Sequence, residues 1–159
     1  MNAYDVLFDH HKVLRGLCTT ISSLPAGSDE RRNALDELLM ELDIQMRIED
    51  DLFYPAVSAA SQLIAIAHAE HRQVLDQLAV LLRTAPAAPQ YEQEWQSFVT
   101  VLDAHATEEE RDLCPPPLDV STKMLDAVGE QMRQRIAQLR GSAFEKLHVK
   151  ARAALLRAL

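Results

Sequence analysis

His105 and Glu109 stand four residues apart, late in a stretch whose apolar residues recur at helical spacing. In a helix that interval is just over one turn, so the imidazole and the carboxylate project from the same face. The run Trp95, Phe98, Leu102, His105, Glu109, Asp112 steps by three and four throughout, the spacing of a core-facing stripe. The stripe begins apolar and continues with ligand-capable groups, so a nitrogen and an oxygen are aimed into an interior. A buried carboxylate without a counter-charge is costly, and something there must compensate it. Metal ligation is the chemistry such a pair offers.

The pattern recurs earlier in the chain. Gln45, Glu49 and Pro55 align without a gap on His105, Glu109 and Pro115. Two helices thus end alike, each with a polar pair on its inner face and a proline beyond. Two further histidines lie within apolar stripes. His71 belongs to Ile64, Ala67, His71, Val74, Leu78, Leu81. Near the N-terminus two frames compete: Leu7, His10, Leu14, Leu17, Ile21, Leu24 turns His10 inward, and Tyr4, Leu7, His11, Leu14, Cys18, Ile21 turns His11 inward. Periodicity alone does not choose between them.

Four helices can bring these groups to one place. The first is predicted over about Ala3 to Leu24, ended by Pro25 and Gly27. The second is capped by Ser28 or Asp29 and carries Leu35, Leu38, Leu42, Gln45, Glu49 and Leu52 to a stop just before Pro55. A turn around Pro55 to Ser61 leads to the third, which runs to about Arg83. Ala85 to Pro89 is a short rigid break, and the fourth spans roughly Tyr91 to Leu113. Short connections make neighbours antiparallel, which predicts an all-α, up-down-up-down four-helix bundle over residues 1–118. Residues 119–159 are predicted as a helical extension packing on or beside it. One helix starts at Ser121 and ends at Gly141, with Leu125, Val128, Met132, Ile136 and Leu139 inward; a basic helical tail with Phe144, Leu147, Ala151, Ala154 and Leu155 follows.

In such a bundle the first-helix histidine, Gln45 with Glu49, His71, and His105 with Glu109 fall at the same end. Three histidines and two carboxylates at one level suit a first-row transition metal, iron above all, with manganese or zinc as alternatives. Carboxylates can bridge two cations while imidazoles terminate each, so a pair of ions is expected. Asp50, Asp51, Glu108 and Glu110 read as solvated helix-end charges, while Glu70 and His68 are candidates to orient ligands from outside.

Composition narrows the function classes. The 159 residues carry a net charge of −8, with 48% hydrophobic and 25% charged residues, the balance of an ordinary globular chain. That charge argues against a nucleic-acid groove, and no apolar run is long enough to span a membrane. Cys18 and Cys114 are too few for a disulfide framework; with no signal-peptide pattern at the N-terminus, a reducing cytoplasm is expected. No phosphate loop and no nucleophile paired with a base is found, so no catalytic residue is assigned.

These motifs resemble the hemerythrin-like HHE cation-binding family. The matching pieces are DHHKVLRGL around His10, Glu49 with Phe53-Tyr54-Pro55, Glu70-His71, and His105 with Glu109 and Pro115. The stretch from Leu125 to Arg135 resembles the helix that follows the bundle in bacterial members, so the likeness covers most of residues 1–140. It implies a non-haem di-iron centre that binds, senses or scavenges dioxygen, peroxide or nitric oxide, or handles iron. It also implies His10 as the first-helix ligand, with His71, His105 and Glu109 on one ion, His10 on the other, and Glu49 between them. One departure stands out: the family has histidine where this chain has Gln45, a weak neutral ligand, which implies that the ion near His10 is loosely held or absent. The alternative is a helical interaction module with a degenerate or single structural metal site, whose basic tail binds a partner such as a second copy.

Overall fold

The structure, a computed structural model, describes residues 1–57, 61–113 and 116–158. Cys114, Pro115 and part of the expected turn before Ser61 lie outside the described residues. The architecture is all-α: α1 (Ala3–Ser23), α2 (Asp29–Ile48), α3 (Ser61–Arg83), α4 (Tyr91–Asp112), α5 (Thr122–Gly141) and α6 (Ala143–Ala158). Among the described residues there is no strand, and no helix is long and apolar enough to cross a membrane. The first four helices form the up-down-up-down bundle. α5 lies against α1 and α2, and α6 against α2 and α3.

Helix starts follow from local chemistry. Asn2 and Asp5 form a reciprocal capping box at α1, and Ser28 and Ser121 accept from Arg31 and Met124 amides to cap α2 and α5. Between α1 and α2 the chain reverses through Gly27, whose φ of 79° is open to glycine at little cost. At the far end of the bundle the Arg31 guanidinium is buried between the rings of Tyr91 and Trp95, 5.4 and 5.6 Å away, and pairs with Glu92 at 2.5 Å.

Burial selects one of the two frames on α1. Tyr4, Leu7, His11, Leu14, Cys18 and Ile21 are buried, whereas Leu17 and Leu24 are only half-buried. His10 is buried as well, but on the flank that faces α2 and α5. This second flank exists because α5 covers it.

α2 is the central helix. Besides its predicted stripe it buries Leu39, Ile44, Met46 and Ile48, since α5 and α6 shield the side that a plain four-helix bundle would leave to solvent. Two apolar clusters result. One joins Leu7, Ile48, Phe53, Met132 and Ile136. The other joins Leu14, Leu38, Val74, Trp95 and Phe98. The histidines and carboxylates lie in the layer between them.

At its C-terminal end α2 departs from α-helical geometry. Glu49–Phe53 form a π-helical turn, followed by a single α-turn, Tyr54–Ala56. The Tyr54 amide donates to the Glu49 carbonyl five residues back. This wider turn brings Tyr54 onto the face of Glu49, where α-helical counting had placed Leu52.

Candidate metal centre

Each of four helices sends one or more donors into the polar layer: His11 from α1, His71 from α3, His105 and Glu109 from α4, with Glu49 and Tyr54 from the end of α2. Glu49 is fully buried, and His11, Glu109, His105 and His71 are nearly so. Glu49 Oε2 lies 2.8 Å from His71 Nε2 and 3.7 Å from His105 Nε2. Glu49 Oε1 lies 3.6 Å from His11 Nε2, which is also 3.2 Å from Glu109 Oε2. One carboxylate oxygen therefore faces each of two ligand groups. The donor atoms of Glu49, His71 and His105 fall within 4.8 Å of one another, as do those of His11, Glu49 and Glu109. Bonds of about 2.0–2.2 Å to a first-row ion put its ligands up to about 4.4 Å apart, so both groups need only small closure to hold one.

The three imidazoles share one orientation. His11 Nδ1 is 2.9 Å from Glu110 Oε1 and His105 Nδ1 is 3.0 Å from Glu70 Oε2. His71 Nδ1 has Asp50 Oδ1 at 3.5 Å. A carboxylate on the outer nitrogen makes that nitrogen the donor and leaves the Nε2 lone pair aimed inward, the arrangement a metal-binding histidine needs. Consistent with this, His11 Nε2, His105 Nε2 and Glu109 Oε2 are buried without a hydrogen-bond partner among the described residues. Orphaned buried donors and acceptors are rare, and three converging on one space fit a cation. The Tyr54 hydroxyl completes the layer, donating to Glu109 Oε1 and lying 3.2 Å from His71 Nε2.

Without a cation, protons balance the charge. At His11 burial opposes the charged ring, but Glu109 and Glu49 outweigh it and push the pKa up to about 10. At His71 the same opposition is overcome by Asp50 and Glu49, again to about 10. Burial would raise Glu49, yet His105, His11 and His71 hold it well below the usual carboxylate range. Glu109 moves up, through its burial and the neighbouring Glu49 charge. A metal ion entering this layer displaces protons from the same atoms.

Four of the five residues expected to ligate come together here: Glu49, His71, His105 and Glu109. His10 does not join them. Its Nε2 lies 2.8 Å from Glu41 Oε2, and its Nδ1 contacts Gln45 Oε1. Both ring nitrogens face side-chain oxygens outside the two ligand groups, and His10 is in neither group. His11 stands where His10 was expected. Gln45 does not face the clusters as an oxygen ligand either; its amide donates to Glu49 Oε1.

Sequence reasoning also missed Tyr54, which the π-turn brings in, and placed Glu110 in solvent; Asp50, read the same way, is exposed. Glu110 instead bonds His11 and Arg15, and Glu70, weighed as an orienting group, bonds His105. The signal available for Glu110 and Glu70 was position: each neighbours a ligand-capable residue in sequence. A third set, Asp43, Glu145 and His148, lies close enough to hold an ion. Arg47 pairs with both of its carboxylates, at 2.9 and 2.8 Å, and Arg152 with Asp43 at 3.1 Å, so its charge is already balanced.

A cleft of about 770 Å³ between α1 and α4 reaches His11, Gln45 and His105 past Leu14, Leu42 and Leu102. Arg15 spans its mouth, 2.6 Å from Asp103 and 2.7 Å from Glu110.

Comparison with known proteins places the chain in a cation-binding family. The family model described as the Hemerythrin HHE cation binding domain matches residues 2–116. The "Uncharacterized protein Rv2633c" of Mycobacterium tuberculosis is 54% identical over 161 residues, with all of each chain covered. A Mycobacterium bovis protein, "Uncharacterized protein Mb2666c", matches to the same extent. Among solved structures, the Rv2633c homolog from Mycobacterium kansasii, a hemerythrin HHE cation binding domain-containing protein, superposes with a TM-score of 0.90 at 59% identity. That match covers 100% of this chain and 99% of the other. The chain belongs to the hemerythrin HHE cation-binding domain family.

Proposed function

We propose that the polar layer holds a pair of non-haem iron ions and that the protein binds, senses or scavenges a small oxidant such as dioxygen, peroxide or nitric oxide. The observation that carries this reading is Glu49, with one oxygen facing His71 and His105 and the other facing His11 and Glu109. A carboxylate so placed can serve two cations at once. Mixed imidazole and carboxylate donors suit iron, with manganese or zinc as competitors. Three protein donors per group leave coordination positions free. Held by Glu49, His71 and His105 and by His11, Glu49 and Glu109, a redox-active pair would supply electrons and Lewis acidity to a small oxidant.

The chain's own residues do the rest. Glu110 and Glu70 hold the His11 and His105 rings in the ligating tautomer, with Asp50 3.5 Å from the outer nitrogen of His71. Tyr54 keeps a hydroxyl proton at Glu109 Oε1, inside the layer. The cleft between α1 and α4 admits a small molecule, and the apolar clusters on either side keep bulk water from the donors.

The test is anaerobic loading with iron(II), elemental analysis, and visible absorption before and after addition of each oxidant. Two irons per chain and a new absorption on oxidant addition support the proposal. A chain that takes up iron but shows no spectral or redox response supports instead a structural metal in an interaction module. One observation favours that second reading: Phe144, Leu147 and Leu155 point to solvent from α6, at 78%, 65% and 61% exposure. Deleting residues 142–159 and measuring the oligomeric state checks it, since loss of self-association is the expected result.

A further inference from the structure

We propose that Gln45, His10, Glu41 and Arg140 form one positioning line that fixes the plane of the Glu49 carboxylate and makes the two metal positions unequal. The line rests on the reading of Glu49 as the shared carboxylate. It begins on α5, where Arg140 grips Glu41 with two parallel bonds, Nε to Oε1 at 2.7 Å and Nη2 to Oε2 at 2.8 Å. Glu41 Oε2 accepts from His10 Nε2 at 2.8 Å, His10 Nδ1 meets Gln45 Oε1, and Gln45 Nε2 donates to Glu49 Oε1. Glu41, Gln45 and Glu49 are spaced four apart on α2 and share one face. All members but Arg140 are buried.

The polarity of the line is forced. Glu49 only accepts, so Gln45 must present its NH₂ to it and its carbonyl to His10. Glu41, held by Arg140, also only accepts, so the His10 ring turns an N–H at Nε2 toward it. Reversing the amide would set two oxygens against each other at Glu49. Each group therefore has one orientation, and Glu49 inherits it.

Two consequences follow. A carboxylate among three imidazoles could rotate about its last bond; the Gln45 amide on Oε1 holds that oxygen toward His11 and leaves Oε2 for His71 and His105. The same hydrogen bond draws electron density from Oε1, so an ion at His11, Glu49 and Glu109 is held more weakly than one at Glu49, His71 and His105. The inequality is set from Arg140, which lies beyond the residues 2–116 that the family model matches. The Arg140 end of α5 is thus a positioning element of the site.

The full-length chain tests this with Arg140→Met, Arg140→Lys and Gln45→Leu. Cobalt(II) titration, read by its visible ligand-field bands, should show a tight and a weak step in the parent chain. Arg140→Met and Gln45→Leu should release Oε1 from the amide, bring the two steps about 10- to 100-fold closer together by tightening the weak one, and shift the bands of the ion at His11 alone. Arg140→Lys should restore both in part. Weakening of both steps equally without a band shift, or no change in either, overturns the proposal. A metal-free readout keeps it separate from the two-ion reading. In ¹⁵N spectra of the imidazoles, Arg140→Met should move His10, His11 and His71 but not His148, which touches no member of the line. A parent chain that binds no cobalt sinks the two-ion reading, and unmoved His11 and His71 signals sink the line.

Discussion

The contrast between His10 and His11 offers the sharpest mutational test, because the two neighbours are equally buried and differ only in what their nitrogens meet. His11→Gln removes one of the two donors grouped with Glu49 Oε1, whereas His10→Gln removes a group that acts only through Gln45. Losing a residue that merely orients a ligand costs about 10- to 100-fold in metal affinity. A hundredfold is about 2.8 kcal/mol, at about 1.4 kcal/mol per factor of ten. Loss of His11 itself should exceed that figure at one of the two positions, and loss of His10 should stay within it. The metal-free His11→Gln chain should also melt lower, since Glu49 and Glu109 lose a buried positive partner, a change worth about 3–5 kcal/mol when a buried pair is broken. The assay is equilibrium dialysis against iron(II) without air, followed by iron and protein determination, with circular dichroism to establish that each variant is folded. One ion retained by His11→Gln and two by His10→Gln is the expected result. The reverse pattern would refute the placement of His11 at the centre.

Three further outcomes follow from the same structure. A β-carbon on Gly129 would sit 2.6 Å from the Met1 carbonyl oxygen and the Asn2 carbonyl carbon, so Gly129→Val should lower stability by about 1–3 kcal/mol through displacement of the α1 start, as read by urea unfolding. Tyr54→Phe takes away the only hydrogen bond described for Glu109 Oε1; the metal-free variant should lose about 1–3 kcal/mol, an unchanged melting curve contradicting the role given to the hydroxyl. The pH dependence of the metal-free chain has a definite sign. His11 and His71 titrate near 10 when folded against 6.5 when unfolded, so their stabilisation is complete below 6.5 and is lost as pH rises toward 10. Glu49 is depressed, so its share is present above 4.5 and lost on acidification. Thermal melts of the metal-free protein should therefore peak between about pH 4.5 and 6.5 and decline toward pH 10, a decline that bound metal should flatten.

Helix number, bundle order and the convergence of Glu49, His71, His105 and Glu109 were legible from three-four spacing, because each of these residues interrupts an otherwise apolar stripe. The first-helix ligand was not. His10 and His11 each fit a stripe, and the resemblance to known relatives favoured His10. What decides between them is α5, which covers a second flank of α1 and gives His10 a buried partner set of its own in Glu41 and Gln45. Burial of two adjacent residues on one helix is a tertiary effect that a single helical period does not encode. Tyr54 escaped for a different reason: the turn Glu49–Phe53 has π spacing, and counting by 3.6 residues brought Leu52 to the site in its place. Gln45 was visible as a departure from histidine, but its use as a donor toward Glu49 emerges only with His10 behind it. Glu110 read as a surface charge because sequence does not show which outer nitrogen it will meet, whereas Glu70 was legible as an orienting group from its place beside His71.

The central claim is that the layer between the two apolar clusters holds a pair of ions shared by Glu49. Iron per chain, measured by elemental analysis on protein purified without chelator or histidine tag and loaded with iron(II) in the absence of air, tests it most directly. The account predicts about two irons per folded chain. One iron or none would contradict it.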